Sequence, residues 1–428
     1  MSTISAPVAE KVKHSMELFG DVRNDDYYWL RDDSRSNPKV LAHLQQENTY
    51  TNAVMADAKQ LQEELYKELR GRIQEADMTV PLRKGSYYYY EKTLEGKQYI
   101  QHCRRFIVEG EGPGSADEMM ETGPDVPVEE VLFDENVMAE KHEYYNIGAF
   151  KMSPNDKLIA YAEDTKGDEI YTVYVIDAET KEFIGKPLKG ITDCLEWADN
   201  ETFVYITMDD IHRPYKVWRH NLVSDQSDDD CLYHEEDDEF SLELKASESK
   251  EYLFVTSGSK TTQFVLFLNV SDAQKELNIK LQEVQAFKDH LVVYERDSGL
   301  VKVTIYHLPP VSDDITSLTV EQTVEFIEPI YLVSSMESQF NSHVLRYEYS
   351  SFRTPQSVYD YDMNTGKPVL KKVKPVLGGF DKENYETVRE WAEASDGTKV
   401  PISIVYRKDL VRLDGTDPLL LYGYGSYE

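Results

Sequence analysis

Residues 158–164 read LIAYAED and residues 203–209 read FVYITMD. Each is a short run rich in β-branched, aromatic and small apolar residues, bounded by polar turns, which is how a β-strand reads. The same kind of segment returns as YLFVTSG from Tyr252, LVVYERD from Leu291 and VLRYEYS from Val344. A polar turn precedes each one: SPND, ADNE, SESK, FKD and QFNS. After a loop, each is followed by a further strand-like run: YTVYVID, YKVWRHN, QFVLFLN, VKVTIYH and SVYDYDM. Another stands before it: YYNIGAF, ITDCLEW, SLELKAS, LQEVQAF and PIYLVSS. A weaker final strand ends each unit.

An earlier unit holds SYYYYEKT and QYIQHCRRF and ends at VEEVLFD, so residues 86–373 divide into six units of four strands. The repeated strands start at 158, 203, 252, 291 and 344, giving spacings of 45, 49, 39 and 53 residues. A four-stranded unit of roughly 40–50 residues is the period of a β-propeller blade. Period-2 patterning excludes helical solenoids; a β-sandwich remains as the alternative, but it has no need of such self-similarity. The chain is expected to be mainly β, a propeller with six readable blades.

Different patterns flank the repeats. Residues 38–75 are expected to be helical: Asn37 and Pro38 form a cap and first-turn pair, Val40, Leu41, Leu44, Val54, Leu61, Leu65 and Leu69 recur at helical intervals, and Gly71 is the stop. Such a one-sided helix calls for a partner surface. Near the other end, VREWAEASDGTKVPISIVYRKD reads as a hairpin turning at SDGTK, and PLLLYGYGSYE follows. Leu419–Leu421 has the character of a buried strand, with Gly423 and Gly425 around Tyr424 after it.

The net charge of −33 argues against a nucleic-acid partner, which demands clustered Lys and Arg. It suits a cationic ligand, or simply solubility. The three cysteines, Cys103, Cys194 and Cys231, are scattered and lack metal-site spacing, so reduced thiols and a cytoplasmic location are expected. No apolar run approaches membrane-spanning length, and no membrane association is expected.

Few residues offer chemistry. No G-x-S-x-G, H-E-x-x-H or G-x-x-x-x-G-K motif occurs, so no serine has a nucleophile-elbow context and neither metal nor cofactor is expected. HEEDDE from His234 and SDQSDDD before it read as solvated acidic loops, and Gly378–Gly379 as a turn. His102, His142, His212 and His220 lack a carboxylate at meaningful sequence spacing and read as ordinary blade residues. Arg213 and Arg219 in HRPYKVWRH read as packing or ion-pairing residues. Tyr424 alone could present a hydroxyl beside a strand end, where an oxyanion is stabilised.

Several stretches resemble the prolyl oligopeptidase family of serine peptidases, and most of all its oligopeptidase B branch. They are DDYYWLRDDSRSNPKVLAHLQQEN, VPLRKGSYYYYEKTLEGKQYIQHCRR, RPYKVWRH, SSFRTPQSVYDYDMNTG, VLGGFDKENYETVREWAEASDGTKVPISIVYRKD and PLLLYGYGSY. The resemblance implies a propeller inserted in an α/β-hydrolase domain. Residues 1–78 would be an N-terminal helical segment of that domain, 79–375 the propeller, and 376–428 the domain's incomplete beginning. It further implies a serine endopeptidase of short peptides cut after Arg or Lys, with Tyr424 in the oxyanion hole. The family's serine, aspartate and histidine lie beyond the YGYGS loop, so residues 1–428 by themselves are expected to be inactive. The family's propeller has seven blades, and the short spacing of 39 puts the missing one near Ile279–Leu281. A non-catalytic propeller that binds partners, or a truncated isoform without function, are the alternatives.

Overall fold

The computed structural model describes residues 5–107, 119–120, 123, 126–247, 249–259, 263–269, 283–297, 299–309 and 319–423. The chain forms two compact units, 1–73 and 74–428.

In the first unit, the Asn37 side chain accepts from the Lys39 amide at 3.0 Å and Pro38 occupies the first turn, as the sequence required. The single helix expected over 38–75 is instead two, Pro38–Val54 and Lys59–Arg70, separated by a 3-10 turn at Ala56–Ala58. There the Ala58 amide reaches Met55, three residues back, and the weak helix formers Val54 and Asp57 flank the break. Gly71 ends the second helix with its amide on the Lys67 carbonyl at 2.9 Å. The leucine stripe of Leu41, Leu44, Leu61, Leu65 and Leu69 is 47–64% exposed.

The second unit is a β-propeller built of antiparallel meanders. Strands fall into six successive groups among the described residues. The first joins Asp77–Met78, Leu82–Lys84, Tyr87–Thr93, Ile100–Phe106 and Glu130–Asp134. The second and third share one sheet of seven strands from Asn146–Met152 to Asp230–His234. The fourth is Ser241–Ala246, Tyr252–Gly258 and Gln263–Asn269. The fifth runs from Glu283–Ala286 to Thr319–Thr323, and the sixth from Leu332–Ser335 to Lys367–Val373. All five repeated segments are second strands of their groups.

The fused sheet is a departure from the sequence reading. The last strand of the second group and the first of the third are one strand, Phe183–Trp197. It pairs Tyr171–Asp177 through its first half and Thr202–Met208 through its second, with register shifts along it. Gly185 and Gly190, at φ +70° and +73°, give the backbone turns that let it change partners without ending.

Apolar side chains stack the groups face to face. One core joins the first two groups through Leu132, Phe133, Ile159 and Tyr161; another joins second to third through Ala160, Val173, Leu195 and Phe203. A third joins third to fourth through Val204, Ile206, Leu242 and Val255, and a fourth joins fifth to sixth through Val292, Val303, Leu345 and Tyr347. None of these cores spans the fourth and fifth groups. Burial shows the same boundary. Leu158–Asp164 is covered on both faces, whereas Ser241–Ala246 alternates strictly, with Leu242, Leu244 and Ala246 buried and Ser241, Glu243 and Lys245 exposed. The missing blade inferred from the sequence near Ile279–Leu281 falls on residues outside the described ones.

Close packing leaves little room at Gly148, which bulges from Asn146–Met152. A Cβ there would lie 2.6 Å from Tyr171 Cε1 and 2.7 Å from Asp193 Cβ. Gly148→Ala is therefore expected to cost about 1–3 kcal/mol, read as a lower urea midpoint.

Tyr385–Glu393 and Lys399–Arg407 form the expected hairpin, with Gly397 at φ +86° in its turn. The strand expected at Leu419–Leu421 is not formed: among the described residues this run pairs with no strand, and it is 84–91% exposed. No described strand offers the backbone partners that an apolar run needs to become a buried strand.

Candidate functional site

Charged side chains pair across the boundaries between the groups. Lys84 of the first group lies 2.7 Å from Glu337, which follows the first strand of the sixth; Lys250, from the turn of the fourth, approaches the same carboxylate at 3.8 Å. Lys151 of the second group pairs with Glu196 of the third at 2.7 Å. Gln285 of the fifth donates to the Met336 carbonyl at 2.8 Å. Glu337 thus links the sixth group to the first through Lys84 and to the fourth through Lys250.

Burial pushes the Glu337 carboxyl upward, but the ammonium groups of Lys84 and Lys250, with Lys151 behind them, outweigh it and hold the group below the usual carboxylate range. A lowered folded-state value means stabilisation that is present above the ordinary value of 4.5 and lost as pH falls through the lower, folded one. Acid titration of unfolding midpoints is expected to show this loss in the wild type and a flatter profile below pH ~5 in Glu337→Gln.

Polar contacts also join the first group to the sixth, which stands 253–295 residues away in sequence. Lys372 pairs with Asp77 at 2.6 Å and donates to the Met78 carbonyl. Arg346 donates to the Pro81 carbonyl at 3.0 Å, and Gln339 to that of Arg83. The Arg346 guanidinium also clasps Asp360, its cross-strand partner, through two bonds of 2.6 and 2.8 Å. The sequence reading missed this pair; a charge at the middle of VLRYEYS, facing another in SVYDYDM, was its only signal.

The residues singled out by sequence separate clearly. Arg213 and Arg219 are ion-paired, to Asp209 at 2.9 Å and Asp230 at 2.7 Å. Gly378 and Gly379 form a turn at φ +83° and +85°. The histidines were judged to lack carboxylates, and for two of them space supplies what spacing does not. His102 stacks on Phe150 and contacts Glu135 at 2.9 Å; His220 meets the Asp229 carboxylate at 2.7 Å. HEEDDE is an acidic loop with Glu236, Asp237, Asp238 and Glu239 exposed, but Glu235 is buried and accepts from Ser257 at 2.6 Å and Tyr233 at 2.9 Å. Among the described residues no His, Cys, Asp and Glu group is placed to hold a metal, and no helix is long and apolar enough to cross a membrane. Tyr424 lies outside the described residues.

The chain matches the family model described as "Prolyl oligopeptidase, N-terminal beta-propeller domain" over residues 7–280 and 274–374. It belongs to the prolyl oligopeptidase family. The two matches meet at 274–280, where the repeat spacing shortens. Among its relatives, Protease 2 of Moraxella lacunata is 28% identical over 98% of this chain, and Dipeptidyl aminopeptidase BI of Pseudoxanthomonas mexicana is 31% identical over 100%. The chain spans 66% of the length of each. Oligopeptidase B from Trypanosoma brucei, solved with covalently bound antipain in a closed form, superposes with a TM-score of 0.84 at 29% identity, covering 99% of this chain and 68% of that one. Oligopeptidase B from Leishmania major gives 0.81 at 28% identity, covering 95% and 66%. This prolyl oligopeptidase relative thus shares the oligopeptidase B architecture across the propeller.

Proposed function

We propose that residues 1–428 are the propeller-bearing part of a serine-type oligopeptidase that cleaves short peptides after Arg or Lys. The observation that carries this reading is the match to the prolyl oligopeptidase propeller over residues 7–374, with oligopeptidase B structures superposing on nearly the whole chain. Residues 1–78 and 376–428 would belong to the hydrolase domain, and 79–375 to the propeller over its active site. The reaction is acyl transfer: a serine attacks the peptide carbonyl, a histidine moves the proton, and the Tyr424 hydroxyl donates to the oxyanion. The net charge of −33 supports a basic peptide, which a strongly negative surface draws in. Scattered cysteines without metal-site spacing support a cytoplasmic setting.

Oxyanion stabilisation without a nucleophile forms no acyl-enzyme. The purified 428-residue polypeptide is expected to take up no stoichiometric label from a fluorophosphonate serine probe. Labelling of one specific serine per chain contradicts this assignment of roles.

A further inference from the structure

Apolar cores fill the contacts between the first and second, second and third, third and fourth, and fifth and sixth groups, but none of them joins the first group to the sixth. A cavity of about 260 Å³ opens at that contact instead. Met78, Val80, Pro81 and Leu82 of the first group and Val344 of the sixth line it, and all are only partly buried. Apolar side chains from two neighbouring groups thus border one space without filling it, where protein interiors are ordinarily close-packed. The charged groups lining the cavity are engaged. Arg346 holds Asp360 through two bonds, and Lys371 lies 3.7 Å from the same carboxylate. Lys372 pairs with Asp77 at 2.6 Å and Glu337 with Lys84 at 2.7 Å, and Arg83 is partnered too.

A charged ligand entering here gives up its hydration and finds no charge in want of a partner. An uncharged apolar one loses nothing of that kind and takes the apolar walls out of water. We propose that this cavity is a binding site for a small uncharged molecule with an apolar body, which supplies between the first and sixth groups the packing that apolar cores supply at the other contacts. A cavity of about 150 Å³ takes one benzene, so this one admits roughly ten non-hydrogen atoms. Because its walls come from both groups, the ligand also braces one against the other. The site is separate from the hydrolytic chemistry proposed above and does not depend on that reading.

Isothermal titration of the 428-residue protein with indole tests it. Indole is expected to bind saturably, one per chain. Benzoate and benzylammonium are no larger, but each brings a charge, and both are expected to bind at least tenfold more weakly. Val344→Phe and Leu82→Phe each fill the cavity and leave its charges in place. Both are expected to abolish indole binding, and one carries the test if the other does not fold. Hydrogen exchange locates the ligand independently. Indole is expected to slow the amides of Leu82–Lys84 and Val344–Ser350 more than those of Thr202–Met208, a strand remote from the cavity lining. The proposal is overturned if indole does not saturate, if benzoate or benzylammonium binds as tightly, if either folded variant binds indole unchanged, or if the amides slowed most lie elsewhere.

Discussion

Asp360→Ala is expected to lower the stability of the propeller by about 3–5 kcal/mol, the cost of leaving a buried cation without its partner. Asp360 is 3% exposed and lies beside two cations. Arg346 is joined to it by two hydrogen bonds, and Lys371 stands 3.7 Å away with its side chain 2% exposed. Truncation takes the two-bond carboxylate from Arg346, whose side chain is 14% exposed. The damage reaches further than one sheet, because Arg346 also bonds the Pro81 carbonyl of the first group. Contact between the first and sixth groups should loosen along with the pair. Urea unfolding followed by tryptophan fluorescence is the measurement, and an apparent loss below 1 kcal/mol contradicts the account. Asp360→Asn keeps the shape and one acceptor, so its loss should be smaller.

Tyr205→Ala is the second large effect, expected at about 3–5 kcal/mol. Tyr205 is 2% exposed and packs with Phe203 and Leu195 in the core between the second and third groups. Its hydroxyl donates to Asp229 Oδ2 at 2.7 Å, while His220 Nδ1 meets Oδ1 at 2.7 Å; the Asp229 side chain is fully buried. Burial, and then the neighbouring carboxylate, push the Tyr205 phenol above its ordinary value, so it remains a donor throughout the working range. Alanine removes the ring and the donor together. Tyr205→Phe keeps the packing and removes only the donor, and should cost about 1–3 kcal/mol. Equal losses for the two variants would show that the ring contributes nothing.

Local pattern carried the reading of the fold a long way. Each of the five repeated segments lies on the second strand of its group, because alternation, turn residues and burial agree there. Pattern failed where partner geometry decides. Phe183–Trp197 continues through two glycine-assisted shifts that composition reads as breaks. The helical region splits at Met55, where no proline or glycine announces it. Leu419–Leu421 has a strand's composition and no strand to pair with among the described residues.

The candidate site was less legible, and the reason is distance along the chain. Lys84 and Glu337 are 253 residues apart, and Lys372 and Asp77 are 295 apart. No spacing rule connects residues that meet only when a ring of sheets brings its ends together. His102 and Glu135 show the same limit at 33 residues. Arg346 and Asp360 were the exception in principle. They sit on adjacent strands of one meander, and pairing the two strands in register would have placed the charges opposite each other.

The central proposal is that residues 1–428 carry the propeller of a serine-type oligopeptidase, a family whose catalytic serine lies beyond the YGYGS loop. Sequencing the transcript across codon 428 tests it most directly. The account predicts an in-frame continuation containing G-x-S-x-G. A stop codon immediately after Glu428 in every transcript, with no such motif in frame beyond it, would contradict it.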